Sequence, residues 1–166
     1  MALGGTELGV AVARYLPRSA ESLTALDLSA NSIDPAGAAC LAAAMAHLTA
    51  LQTLDLRKNR VDAAGWTAIA DALEAITSLT SLNACPRYAA IRAGGQTELL
   101  LGETELGVWV ARYLPRSAAT LTTLDLRGNK LGVDGWTAVA DALEGVTSLT
   151  SLNACPRYAA IRAGGQ

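Results

Sequence analysis

The cysteines are the side chains of this sequence best suited to nucleophilic chemistry. Cys85 and Cys155 occupy equivalent places in two copies of the segment LTSLNACPRYAAIRAGGQ, just after a predicted strand. A cysteine nucleophile needs a base within hydrogen-bond reach, but the single histidine, His47, lies on a predicted outer helix. One histidine cannot serve two equivalent cysteines. We therefore interpret the thiols as small half-buried residues copied by duplication, and we expect no catalytic site.

Motifs for metals and phosphates are missing from the sequence. It has no C-x-x-C pair, no H-E-x-x-H and no alternating aspartate loop, which are spacings typical of zinc and calcium sites. It also lacks the G-x-x-x-x-G-K loop that cradles phosphates. We therefore expect no cofactor.

The overall composition excludes several classes of partner. Hydrophobic residues make up 51% of the chain and charged residues 17%, which is typical of a folded protein. A net charge of −2 gives no basic patch for nucleic acid or an anionic membrane. Glu7 and Arg14 interrupt the first apolar stretch, so no signal peptide is predicted, and no apolar run is long enough for membrane insertion. Three cysteines are too few for a disulfide framework, so we expect an intracellular, cytoplasmic protein.

Internal repetition is the main feature of the sequence. LTALDLSANSI begins at Leu23, LQTLDLRKNRV at Leu51 and LTTLDLRGNKL at Leu121, while LTSLNACPRYA begins at both Leu79 and Leu149. The steps Leu23–Leu51, Leu51–Leu79 and Leu121–Leu149 are 28 residues each. Repetition at such a period indicates stacked structural units that share one core.

The framework L-x-x-L-x-L-x-x-N, followed by a glycine and a helical stretch, resembles the leucine-rich-repeat family. The 28-residue step and the glycines at Gly37, Gly65 and Gly135 resemble its ribonuclease-inhibitor-like subclass. The resemblance implies an α/β solenoid of about six strand units, with a curved parallel sheet inside and helices outside. It also implies that asparagines after the strands bond neighbouring backbone, namely Asn31, Asn59 and Asn129.

Residue patterns within one repeat agree with that architecture. In LTALDL, alternation sends Leu26 and Leu28 inward and Asp27 to solvent, as a strand buried on one face requires. Asp34 followed by Pro35 predicts the start of a helix. One strand and one helix cannot bury both their apolar faces alone, whereas stacked neighbours do so.

We expect residues 1–166 to form a single array that is part of a longer one, with an irregular short unit near 85–98. The step from Leu82 to Leu99 is only 17 residues, below the usual repeat length. In that stretch Pro86 is expected to open a short helix through Ile91, and Gly94-Gly95 to close it.

The concave strand face is the predicted binding surface, because solenoid curvature exposes the outward strand residues there. Two columns of side chains are expected on it, and in them Asp55 beside Arg57 and Asp125 beside Arg127 form a mixed-charge stripe. The alternative is that these side chains merely solvate the face and balance one another. The candidate binding residues are Asp27, Ser29, Asp55, Arg57, Asn83, Cys85, Leu100, Asp125, Arg127 and Asn153.

These features predict a non-catalytic protein–protein interaction module whose partner is another protein. The alternative is a structural or accessory subunit whose uncapped ends and helix aromatics pack on neighbours in a large assembly. A third hypothesis is regulation of a small GTPase or an immune-type sensor array. Its basis is that Ran GTPase-activating proteins and nucleotide-binding immune receptors are similar in repeat type. We interpret the tryptophans and tyrosines as helix packing residues in preference to binding anchors.

Overall fold

The computed structural model describes residues 5–104, 107–129 and 131–153. The chain divides into two compact units, Met1–Tyr88 and Ala89–Gln166. Unit 1 contains α1 (Gly5–Tyr15), β1 (Ala25–Asp27), α2 (Pro35–Met45), β2 (Thr53–Asp55), α3 (Ala63–Ala75) and β3 (Ser81–Leu82). Helix α4 (Tyr88–Ala93) begins at Tyr88, the last residue of unit 1. Unit 2 continues with β4 (Glu98–Leu100), α5 (Gly107–Tyr113), β5 (Thr123–Asp125), α6 (Gly132–Glu144) and β6 (Ser151–Leu152).

Each sheet pairs its strands in parallel at equivalent leucines. In unit 1, Leu26 of β1 lies opposite Leu54 of β2, and Leu54 lies opposite Leu82 of β3. The same pairing in unit 2 joins Leu99, Leu124 and Leu152. The predicted parallel pairing of successive repeats is therefore confirmed, and the structure is an α/β repeat fold.

The described strands form two three-stranded sheets, in the orders β1-β2-β3 and β4-β5-β6, where we expected one sheet of about six strands. The change of sheet falls in the stretch predicted to be irregular. There the chain has only 17 residues from Leu82 to Leu99, and its helix α4 has 6 residues. So short a step cannot hold a strand and a full outer helix.

Aliphatic side chains from the strands and helices fill the core of each unit. In unit 1, Leu54, Leu56, Leu41 and Met45 are each 0% exposed. These side chains come from the inward positions of β2, the residue after it, and one face of α2. Leu26 is only half-buried, and its strand β1 pairs only with β2.

Helix α2 begins where the sequence predicted. The Asp34 carboxylate accepts a hydrogen bond from the backbone N–H of Gly37 at 2.8 Å, and Pro35 is the first helical residue. Asp62 caps α3 in the same way, accepting from Gly65 at 2.8 Å. These caps satisfy backbone donors that have no partner inside the helix.

The interrupted stretch forms a short helix as expected, but the helix begins at Tyr88, two residues after the predicted start at Pro86. Helix α4 runs Tyr88–Ala93, and Gly94 and Gly95 follow it with φ values of 83° and 73°. Positive φ at two successive residues ends a right-handed helix, and glycine adopts it without strain. Among the helices of the described residues, none combines the length and the apolar character of a membrane-spanning segment.

Candidate functional site

The strand face of each unit is the surface formed by the outward side chains of its strands and of the turns that follow them. In unit 1 it brings together Asp27, Ser29, Asp55 and Arg57. Asp27 and Asp55 are register partners on β1 and β2, and neighbouring strands lie about 4.8 Å apart. Asp27 is exposed and Asp55 is half-buried. The structure thus places these four predicted residues side by side.

Asp55 and Arg57 form a two-pronged ion pair within one repeat. The Arg57 Nε lies 3.1 Å from Oδ1 and 3.0 Å from Oδ2 of Asp55, and its Nη2 lies 2.6 Å from Oδ2. The backbone N–H of Arg57 also donates to Oδ1, at 3.0 Å. The Arg57 guanidinium, by donating to the carboxylate, holds the pKa of Asp55 below its usual value.

Asp125 and Arg127 repeat this geometry on the strand face of unit 2. The Arg127 Nε lies 2.9 Å and 3.0 Å from the two carboxylate oxygens, and Nη2 lies 2.6 Å from Oδ2. These bonds lower the pKa of Asp125 and raise the pKa of Arg127. The predicted mixed-charge stripe therefore consists of pairs that neutralise each other within a repeat.

Asp27 differs from the other two aspartates because a serine stands where they have arginine. The backbone N–H of Ser29 donates to its Oδ1 at 2.9 Å, and this bond lowers the pKa of Asp27. The neighbouring carboxylate of Asp55 acts in the opposite direction. Asp27 is therefore an exposed, fixed negative charge at the end of β1.

Asn83 and Cys85 do not lie on the strand face, and their predicted exposure was wrong. They are 1% and 7% exposed. Asn83 and Ala84 have φ values of 49° and 58°, and the backbones of Leu82 and Cys85 exchange hydrogen bonds of 2.8 Å and 3.2 Å. This tight turn with two left-handed residues carries Cys85 back into the core. The Asn83 Oδ1 accepts from the N–H of Leu56 at 2.8 Å, which fixes the amide against the neighbouring repeat.

Asn153 occupies the equivalent place in unit 2 and is half-buried. Its Oδ1 accepts from the N–H of Leu126 at 2.8 Å, and its φ is 49°. This side chain therefore bonds the neighbouring repeat, and it offers a partner less surface than we expected. Cys155 lies outside the described residues.

Leu100 is the apolar member of the strand face in unit 2. It is 60% exposed, and it is the register partner of Asp125 across β4 and β5. Gly102, which follows it, is also exposed. Leu100 therefore adds an apolar side chain to an otherwise polar surface.

Asn59 holds two repeats of unit 1 together beneath the strand face. Its Oδ1 accepts from the N–H of Ile33 at 2.9 Å and of Asn31 at 3.2 Å. Its Nδ2 donates to the carbonyls of Leu28 at 2.9 Å and Leu56 at 2.8 Å. One amide thus satisfies backbone groups where the chain leaves the strands.

The corresponding amide in unit 2 behaves similarly. The Asn129 Nδ2 donates to the carbonyls of Leu101 at 2.6 Å and Leu126 at 2.9 Å. The role implied by the family resemblance is therefore confirmed for Asn59 and Asn129. Asn31 belongs to the first repeat of unit 1 and is exposed, and its amide donates to Ser29 of its own repeat at 2.9 Å.

The aromatic side chains divide into buried and exposed groups. Tyr88, Tyr113 and Trp109 are 0%, 1% and 3% exposed, and the last two pack edge to face with ring centroids 6.1 Å apart. The predicted packing role therefore holds for these three. Tyr15 and Trp136 are 58% and 42% exposed, so packing does not explain them.

Among the described residues, those that could do covalent or metal chemistry are not assembled into a site. Cys85 is buried, and His47 is exposed just after the end of α2. Within residues 5–104, 107–129 and 131–153, no three His, Cys, Asp or Glu side chains are placed to hold a metal ion.

Repeated parallel strands, each followed by a helix, define an α/β repeat protein. Comparison with family models gives three matches to the family described as Leucine Rich repeat, at residues 19–42, 47–70 and 117–140. Each match contains one strand, β1, β2 or β5, and the start of the following helix. The matches make three segments of the chain similar to leucine-rich repeats, and they indicate no catalytic family. No curated protein matches the sequence.

Proposed function

We propose that the chain is a non-catalytic module that binds a protein partner through its strand faces. Leucine-rich repeats commonly mediate protein–protein interaction, and solenoid repeats use extended surfaces for it. The 28-residue step and the helix that follows most strands support the ribonuclease-inhibitor-like subclass as part of the proposal. The free thiols of Cys40 and Cys85 agree with an intracellular location, which belongs to the same proposal.

The observation that carries the proposal is the fixed geometry of the polar side chains on the strand faces. Asp55 and Asp125 are each held by three side-chain contacts and one backbone bond. Side chains that are already ordered lose little conformational entropy when a partner binds. Solvation alone does not require such fixed geometry, so the arrangement favours recognition.

The two strand faces differ in the partner chemistry that they favour. Unit 1 presents the exposed carboxylate of Asp27 beside the Asp55–Arg57 pair, which suits a donor-rich or basic side chain. Unit 2 presents Leu100, 60% exposed, beside the Asp125–Arg127 pair. An apolar side chain bordered by polar groups resembles the centre of a protein interface, from which the surrounding contacts exclude water.

Affinity capture followed by binding measurements on purified partners tests this proposal. Asp55→Ala with Arg57→Ala removes one ion pair without changing the net charge, and Leu100→Ala removes the apolar group. Each is expected to weaken the affinity for a partner by about tenfold, which corresponds to about 1.4 kcal/mol. The assay is isothermal calorimetry on variants with unchanged circular dichroism.

The matched controls lie on exposed positions away from the strand faces. Arg60→Ala with Asp71→Ala is also neutral in charge, and Val133→Ala removes an apolar side chain that is 83% exposed. Both controls are expected to bind as the wild type does. Equal binding by the wild type and by all strand-face variants would overturn the proposal.

A further inference from the structure

Unit 1 has a partly exposed apolar edge. This N-terminal edge consists of side chains from α1, the 3₁₀ helix after it (Leu16–Ser19), the chain leading into β1 and β1 itself, which line a groove of about 320 Å³: Ala11, Val12, Tyr15, Leu16, Leu23 and Leu26. Tyr15 is 58% exposed. Leu23 and Leu26 are half-buried, and β1 pairs only with β2.

The same sequence is covered in unit 2. ELGVAVARYLPRS from Glu7 recurs as ELGVWVARYLPRS from Glu105. Tyr113, the counterpart of Tyr15, is 1% exposed. Leu121 and Leu124, which correspond to Leu23 and Leu26, are 0% exposed. The edge of unit 1 therefore has the residues of a surface that is buried in its own duplicate.

In unit 2 the segment AAIRAGGQ, residues 89–96, lies beside the end of the corresponding surface. The Gly95 N–H donates to the carbonyl of Arg116 at 3.1 Å, and the Gln96 N–H donates to the Ser117 hydroxyl at 3.1 Å. The Arg116 Nη1 donates back to the carbonyl of Arg92 at 2.6 Å. The acceptors Arg116 and Ser117 belong to the sequence YLPRS, which also occurs in unit 1 as residues 15–19.

Gly94 allows this segment to lie close to the backbone of Arg116. A Cβ on Gly94 would lie 2.4 Å from the carbonyl oxygen of Arg116, and its φ is 83°. Gly95 also has positive φ, 73°, but a Cβ there would meet nothing within 4 Å. The contact therefore depends on the first glycine in a way that the second does not share.

The segment that makes this contact occurs twice in the chain. Residues 159–166, which lie outside the described residues, have the sequence AAIRAGGQ, identical to 89–96. We propose that the N-terminal edge of unit 1 binds residues 159–166 of a second copy, so that chains associate head to tail. The contact would reproduce between chains the hydrogen bonds that 92–96 makes with 116–117. A head-to-tail contact is heterologous and extends to further copies unless one end is blocked.

Sedimentation velocity of the full chain over a wide range of concentration tests the proposal. The average mass of the wild-type species is expected to rise with concentration above the 17.1 kDa of one chain. Tyr15→Arg places a charge on the apolar edge, and Gly164→Ala alters the counterpart of Gly94. Each is expected to weaken association by at least tenfold.

A mixture of the two variants gives the decisive result. Tyr15→Arg keeps an intact 159–166 segment, and Gly164→Ala keeps an intact edge. Mixed together, they are expected to form a species of twice the chain mass and nothing larger, because the free ends of that dimer are both blocked. Circular dichroism checks that both variants are folded.

Two controls match these variants. Val133→Arg introduces the same charge at an exposed apolar position of unit 2, and Gly165→Ala alters the counterpart of Gly95, where space is open. Both are expected to associate as the wild type does. A wild type of constant 17.1 kDa, a mixture that stays monomeric, or association unaffected by Tyr15→Arg would each overturn the proposal. Because Asp55→Ala with Arg57→Ala leaves the edge intact, it is expected to retain self-association, which separates this proposal from partner binding by the strand face.

Discussion

Removal of the Asn59 side-chain amide is expected to destabilise unit 1 strongly. Asn59→Ala leaves the N–H groups of Ile33 and Asn31 without their acceptor, and the carbonyls of Leu28 and Leu56 without a donor. Ile33 is 1% exposed, so water cannot replace its partner, and a buried donor left unsatisfied costs about 1–3 kcal/mol. With smaller losses at the more accessible groups, we expect a total of about 2–4 kcal/mol.

Urea unfolding followed by circular dichroism measures the loss, and hydrogen exchange locates it. Asn31→Ala is the matched control, because that exposed amide donates to Ser29 within its own repeat. It is expected to cost less than about 1 kcal/mol. Exchange is expected to accelerate in Asn59→Ala at the amide of Ile33 and at the strands on either side.

Asn59→Asp separates the amide's acceptor role from its donor role. The carboxylate keeps an acceptor but faces the carbonyls of Leu28 and Leu56, so folding should raise its pKa. A raised pKa means that this variant loses stability as pH rises through the folded value. Equal unfolding midpoints for Asn59→Ala and Asn31→Ala would refute the reasoning.

Three further predictions concern unit 2. Asp125→Asn is expected to make the urea unfolding midpoint depend less on pH at acid pH. The carboxylate of Asp125 has a lowered pKa, so it stabilises the fold above its ordinary pKa and loses that contribution as pH falls through the folded value. Gly94→Ala is expected to lower the thermal midpoint more than Gly95→Ala, because only the first adds a clash to the strain of positive φ; equal losses would contradict this. Trp109→Ala, at a site 3% exposed, is expected to cost about 3–5 kcal/mol in urea unfolding. Trp136→Ala, at a site 42% exposed, is expected to cost under about 1 kcal/mol.

The regular part of the fold could be predicted from the sequence because its cause is local and repeated. Leu26, Leu54 and Leu82 recur at one step, and stacking the repeats places these equivalent leucines in one core. The Asp34 cap followed by Pro35 is likewise a short-range signal. Each of these features depends on neighbours that the repeat itself supplies.

The structure after β3 was harder to predict because a turn, and not the repeat pattern, determines it. Asn83 aligns with Asp27 and Asp55 in sequence, so alternation placed it on the strand face. Two left-handed residues at Asn83 and Ala84 reverse the chain and bury Cys85 instead. Asparagine adopts positive φ more readily than most residues, which was the available signal. Alanine gives no such signal.

The position of the candidate surface could be predicted from the sequence, but the pairing of its charges could not. Asp55 and Arg57 were identified from their alternation, yet whether they engage each other depends on side-chain rotamers. The exposure of Tyr15 was also beyond the sequence, since its duplicate Tyr113 is buried. Nearly identical local sequence has two degrees of burial, and Trp109, which stands where unit 1 has Ala11, packs against the buried Tyr113.

The spacing of Asp55 and Arg57 has a consequence for how such a chain grows. Because Asp55 and Asp125 each find a counter-ion two residues away in the same repeat, duplication of either repeat brings acid and base together. Insertion or loss of such a repeat therefore leaves the balance of charge along the strands unchanged. Length and surface potential can thus evolve independently, which suits a gene that lengthens by tandem copying.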